Sequence, residues 1–366
     1  MTGRERILTA LKLKKPDRVP FLLWGVDPYG WMGKEPSYRR LVEYVLKHLE
    51  FKKQWQPKEG VELFYSGAKT EIKVRKRTEE GREIEEHLLR TPKGPLTSVV
   101  KSVPRTTVRV VVKHYIESEE EAERFLSLPY KLPNPEIASY FFWEKTIGER
   151  GVITHRVSEP MGMAVRIIKP EKLALWSLTH EDLVGKLLDN FFQRIFNYVE
   201  RILRGGVKPI FIIGGSEHAS LLGPHFFEKF VVKYDRILVD MIHHYGALVI
   251  LHCHGKLKEF LDMIARIGPD GLHPLEEPPM GDITLEEAKQ KIGDRICLVG
   301  NIQISDMYEA NPDQIKQKCR RIIQAAAEGG GLIISPTATP YQLPLTDKTY
   351  RNYIQLIKTG KEIGRY

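Results

Sequence analysis

Cysteine is scarce in this chain: Cys253, Cys297 and Cys319 stand alone in 366 residues, with no CxxC pair among them. An odd, scattered set excludes a disulfide framework and predicts a reducing, cytoplasmic setting. Long apolar runs are lacking too, so no segment reads as a membrane span. The first 15 residues alternate charges with Ile7, Leu8, Leu11 and Leu13, the pattern of a short amphipathic helix rather than a secretion signal. No stretch is dominated by one sign of charge. The 56 Lys and Arg against 47 Asp and Glu leave a formal +9, but the densest basic cluster, KVRKR at 73–77, runs straight into Thr78-Glu79-Glu80. It reads as a solvated mixed face, not a nucleic-acid footprint. The glycines at 329–331 precede a strand instead of following one, which excludes a dinucleotide-binding turn. With 42% hydrophobic and 28% charged residues, little of the chain is disordered.

What is present is a cadence. Short Val- and Ile-rich runs at 19–26, 152–157, 209–213, 248–252, 271–274, 296–301 and 332–336 alternate with helical patterns at 182–203, 224–245, 256–267, 285–291, 312–327 and 347–363. Parallel strands joined by helical crossovers read this way. Several of the helices stop at Gly205, Gly246, Gly268, Gly293 or Gly329, where positive φ can end a helix. From about 61 to 116 the period falls to two, in EIKVRKR, REIEEHLLR, LTSVVKS and TVRVVVKHY separated by turns. That predicts an antiparallel meander covering a barrel mouth or a dimer interface. One α/β barrel domain over 1–366, with this β-rich insertion, is the expected organisation.

Catalytic groups of such barrels sit at the C-terminal strand ends. VILHCHGKL, at 249–257, puts His252 and His254 at i and i+2, so both leave one face of an extended chain while Cys253 leaves the other. Gly255 then permits a sharp turn. Two imidazoles from one strand end suit a borderline metal such as zinc, unless they only finish the strand with hydrogen bonds. Glu217, in GGSEHAS after the neighbouring strand, is the preferred third ligand, with helix capping as its other reading; His218 and His155 are alternatives. Arg156 suits a substrate anion or a structural ion pair. Asp27 and Trp24 lie in VPFLLWGVDPYGWMG, where turn formation and core packing compete with a pocket role, and Tyr341 lies in the late polar loop PTATPYQLP.

The segments RERILTALKLKKPDRVP, RTPKGPL, GPHFFEKFVVKYDRI, VILHCHGKL, PDGLHPLEEPPMGD, DRICLVGNIQ and GGGLIISPTATP together resemble the uroporphyrinogen decarboxylase superfamily, from Arg4 to Tyr366. The resemblance implies a distorted (β/α)8 TIM-type barrel and homodimerisation. It also implies one of two activities. The decarboxylases carry Gln-Ala-Gly-Arg after the first strand, where this chain reads GVDPYGWMG without the arginine. The zinc-dependent, corrinoid-linked methyltransferases use His-x-Cys-Gly and a later Ser-Pro-Gly-Cys-like loop; here His254 and Ala338 occupy the two cysteine positions.

Losing both thiolates implies a harder, more Lewis-acidic metal, suited to a substrate oxygen rather than a thiol. The corrinoid signature Asp-x-His-x-x-Gly is absent, since in DMIHHYG at 240–246 the histidine falls one residue late. The expected function is therefore a zinc-dependent methyltransferase-like reaction. His252, His254 and Glu217 bind the metal, Asp27 and Tyr341 handle protons or orientation, and a partner protein supplies the corrinoid. The alternatives are a metal-free decarboxylase or lyase, with Arg156 holding a small carboxylate, and a non-catalytic ligand-binding barrel.

Overall fold

Apolar β-branched residues at every position of short segments drive burial on both faces, the pattern of a parallel sheet covered by helices. The computed structural model describes residues 1–215 and 223–366. Its strands are β1 (Phe51–Gln54), β2 (Ile72–Glu79), β3 (Arg82–Thr91), β4 (Gly94–Ser102), β5 (Arg109–Lys113), β6 (Gly151–Val157), β7 (Ile210–Ile213), β8 (Leu248–His252), β9 (Gly271–His273), β10 (Cys297–Ile302) and β11 (Leu332–Pro336). Among the described residues, seven strands hydrogen-bond in the order β1-β6-β7-β8-β9-β10-β11, and every pair is parallel. The remaining four form a separate antiparallel meander, β2-β3-β4-β5. All four segments expected there are strands.

The expected strand at 19–26 is reduced to a parallel bridge between Phe21 and Ile334, with Leu22 N–H donating to the Ile334 carbonyl at 3.0 Å. The cause is Glu50. Its buried carboxylate accepts from Phe21 N–H at 2.6 Å, taking a donor a neighbouring strand would otherwise use, and pairs with Arg6 at 3.0 Å and Arg18 at 2.6 Å. Conversely, β1 has no counterpart among the expected strands.

Two apolar clusters flank the sheet. Ile7, Ala10 and Leu11 of the N-terminal helix Gly3–Leu11 pack with Leu22, Trp24, Val152, Ile210, Ile212, Ile250, Cys297, Val299 and Ile333, which fill the concave interior. The larger cluster lies between strands and outer helices. The chief crossover, Glu181–Arg204, runs 24 residues with a continuous apolar stripe. Gly246, Gly268 and Gly329 take positive φ as expected, but after that long helix it is Gly206 (φ 81°) and not Gly205 that does so, and Gly293 stays right-handed (φ −69°). Cys253, Cys297 and Cys319 form no disulfide, and all three are buried.

Candidate functional site

Strand parity decides what faces the interior. Register pairs Lys52 with Val152, Arg156 with Ile212 and His252 with His273. Val152, Ile212 and Ile250 belong to the interior cluster, so Lys52, Arg156, His252 and His273 share that face. Cys253 turns the other way, into the outer cluster. His254 follows the strand end, its ring centroid 4.8 Å from that of His252. Gly255 (φ 95°) makes the turn, and its N–H reaches Glu276 at 3.2 Å. Gly214, at the end of β7, is also required: a Cβ there would meet the His252 carbonyl at 2.1 Å.

The hydrogen bonds fix the imidazole tautomers. His273 Nε2 lies 3.0 Å from the Pro336 carbonyl, which can only accept, so that nitrogen carries the proton. His273 Nδ1 is therefore bare in the neutral ring and accepts from His252 Nδ1 at 3.0 Å. This leaves a lone pair on His252 Nε2. Burial, reinforced by the neighbouring imidazoles and by Arg156 and Lys52, holds His252 well below the usual histidine range. Burial does the same to His273, with His254, Lys52 and Arg156 adding to it. Both rings thus stay neutral at pH 7.

His254 presents the same arrangement through a different partner. Its Nδ1 lies 3.1 Å from Glu276 Oε2, and a carboxylate makes that nitrogen the donor, again leaving Nε2 for a ligand in the neutral ring. Burial pushes the Glu276 carboxyl up, but the bonds from His254, Gly255 and Gln303 outweigh it and its pKa is lowered. Trp24 supports the group from below. Its ring stacks on His273 at 3.6 Å and on His252 at 4.9 Å, and Lys52 Nζ sits 4.0 Å from its centroid. Trp24 therefore joins the interior packing and the site at once.

The other expected residues are placed as follows. Asp27 is engaged by Lys53 at 2.9 Å and by the backbone N–H groups of Gln54 at 3.0 Å and Tyr29 at 2.9 Å; together with Trp31, Lys53, Trp143 and Thr339 it lines a cleft of about 420 Å³. Tyr341 is fixed by its backbone, with N–H donating to Tyr308 Oη and its carbonyl accepting from Thr107 of the meander, each at 2.9 Å. His155 is on the outer face, between the Trp55 carbonyl and Tyr198 Oη at 3.0 Å each, and serves packing. Glu217 and His218 lie outside the described residues. Among the described residues no three His, Cys, Asp or Glu side chains gather as a metal cage.

His273, Glu276 and Lys52 were missed from sequence. A signal existed for the first: β9 was expected at 271–274, and a strand beside β8 that also ends in histidine brings the two rings to one level.

A parallel β/α sheet with the imidazoles of His252 and His273 at its C-terminal strand ends is an α/β arrangement of the kind seen in barrel proteins, which bind ligands at those ends. Comparison with known proteins gives the lineage. The model of the uroporphyrinogen decarboxylase (URO-D) family matches residues 144–344, more than half of the chain, and the chain belongs to that family. A methylcobamide:CoM methyltransferase, MtaA, of Methanosarcina barkeri is 28% identical over 178 residues, covering 48% of this chain and 49% of the relative. The chain thus spans about half the length of that curated relative. MtbA of Methanosarcina mazei, of the same description, is 22% identical over 258 residues, with 66% and 71% covered. A solved structure of a methyltransferase from Methanosarcina mazei superposes with a TM-score of 0.64 at 17% identity over 99% of both chains, which shows a shared fold.

Proposed function

We propose that this protein is a zinc-dependent, methyltransferase-like enzyme that moves a methyl group between a small substrate and a corrinoid carried by a partner protein. The observation that supports it most is the tautomer chain from Pro336 through His273 to His252, paralleled by Glu276 and His254, which leaves two Nε2 lone pairs at one strand end. Those atoms suit a borderline metal, and Glu217 would be the third ligand. When bound, zinc supplies Lewis-acid activation of a substrate oxygen. His273 and Glu276 position the two imidazoles, Trp24 gives the substrate a flat apolar wall, and Arg156 offers a donor for an acidic group. Asp27 and Tyr341 remain candidates for orientation and proton handling at the mouth. The same reading takes residues 20–22 as the eighth stave of a (β/α)8 barrel.

The test is methylation of free cob(I)alamin by a panel of methoxy compounds and alcohols in the presence of zinc-loaded protein, followed by the visible spectrum. Methylation that needs zinc and is lost in His252→Ala supports the reading; no methylation with any donor, in protein shown to hold zinc, opposes it. A second reading, a metal-free decarboxylase or lyase for a small carboxylate, draws on the interior cations Lys52 and Arg156. Release of CO2 by chelator-treated protein would favour it.

A further inference from the structure

Lysine is a costly residue to bury, because its ammonium loses water and needs an anion in exchange. Lys52 is 3% exposed and faces the interior of the sheet, opposite Val152. Among the described residues its charge has no hydrogen-bonded carboxylate: Nζ lies over the face of Trp24, and the nearby Asp27 is already held by Lys53, Gln54 and Tyr29. A second polar group on the same face is equally unsatisfied. Thr154, opposite Ile210 of the interior cluster, is fully buried and its Oγ1 has no partner. Arg156 follows two residues along the same strand face. The Lys52 ammonium and the Thr154 hydroxyl, two residues apart in register on this interior face, are buried donors that no acceptor among the described residues satisfies.

We propose that Lys52 and Thr154 anchor the acidic group, a carboxylate, of a small organic anion that enters the barrel with its body along Trp24. The inference shares the proposed function's ligand site, naming its substrate class, but does not depend on the metal. An anion at this level neutralises the interior charge and reaches the strand-end imidazoles from below. Burial, with Arg156 adding to it, pushes Lys52 down to about 7.

Acetate is the probe, titrated at constant ionic strength and followed by tryptophan fluorescence and thermal unfolding. The wild-type protein should show a saturable response and an acetate-dependent rise in Tm. Lys52→Met should lose at least tenfold in apparent affinity, and Thr154→Val should lose several-fold. Lys52→Arg keeps the charge and should bind within a few-fold of wild type. His252→Ala/His254→Ala, which removes the proposed metal ligands, should still bind acetate, so the two readings fail separately. No saturable response in the wild type, or a Lys52→Met protein that binds as the wild type does, overturns the proposal. So does equal loss in Lys52→Met and Lys52→Arg, which would assign the lysine to packing alone.

Discussion

Replacing His273 by phenylalanine tests the tautomer chain with little change in shape. The ring is fully buried and stacked 3.6 Å from Trp24; phenylalanine keeps the stacking but is the larger ring, so some overpacking adds to the loss. Two hydrogen bonds vanish. The Pro336 carbonyl is not orphaned, because Ser335 Oγ also donates to it at 3.0 Å. His252 Nδ1–H is orphaned, and a buried unsatisfied donor costs about 1–3 kcal/mol. Urea unfolding should therefore show a lowered midpoint of that size with an unchanged slope. The second readout is the tautomer of His252 by 15N NMR, which should be Nδ1–H in the wild type and should mix with Nε2–H in the variant. A stability change under about 0.5 kcal/mol together with an unaltered His252 tautomer would refute the chain as described.

Three further outcomes follow from the geometry. Glu276→Gln weakens the acceptor that orients His254, so metal affinity should fall roughly 10–100-fold, measured by competition with a chelating dye, with stability little changed. Lys52 titrates at about 7 when folded against an ordinary 10.5, because burial and Arg156 disfavour its charge. The unfolded chain then binds more protons between those values, so wild-type stability should rise with pH across that window, by at most about 1.4 kcal/mol per unit from this group, and Lys52→Met should remove that component. Glu50→Ala leaves the half-buried Arg18 without its carboxylate and frees Phe21 N–H, while Arg6 keeps Asp17 at 2.6 Å, so it should cost about 1–3 kcal/mol in urea unfolding and increase amide exchange around residues 18–22.

The sheet was legible because its strands are short β-branched runs between glycine stops, and six of the seven runs first read as strands lie within a residue or two of observed ones. Two failures have a physical cause. The segment FKKQ carries lysines where a strand buried on both faces calls for apolar residues, so its pattern is hidden by the group the site requires. The 19–26 run has the right composition, but Glu50, far along the chain, takes its Phe21 amide. At the site, His252 and His254 were legible from alternation alone, since period two dictates their common face. Glu276 was not, because its role depends on how the loop after β9 folds back on Gly255. His273 was hidden as a lone histidine before Pro274, although its strand was not.

The most direct test of the central claim is elemental analysis of the purified protein beside the double variant His252→Ala/His254→Ala, after zinc is supplied and excess removed. About one zinc per chain is expected in the wild type, lost in the variant. Zinc absent from both, or retained equally by both, would contradict it.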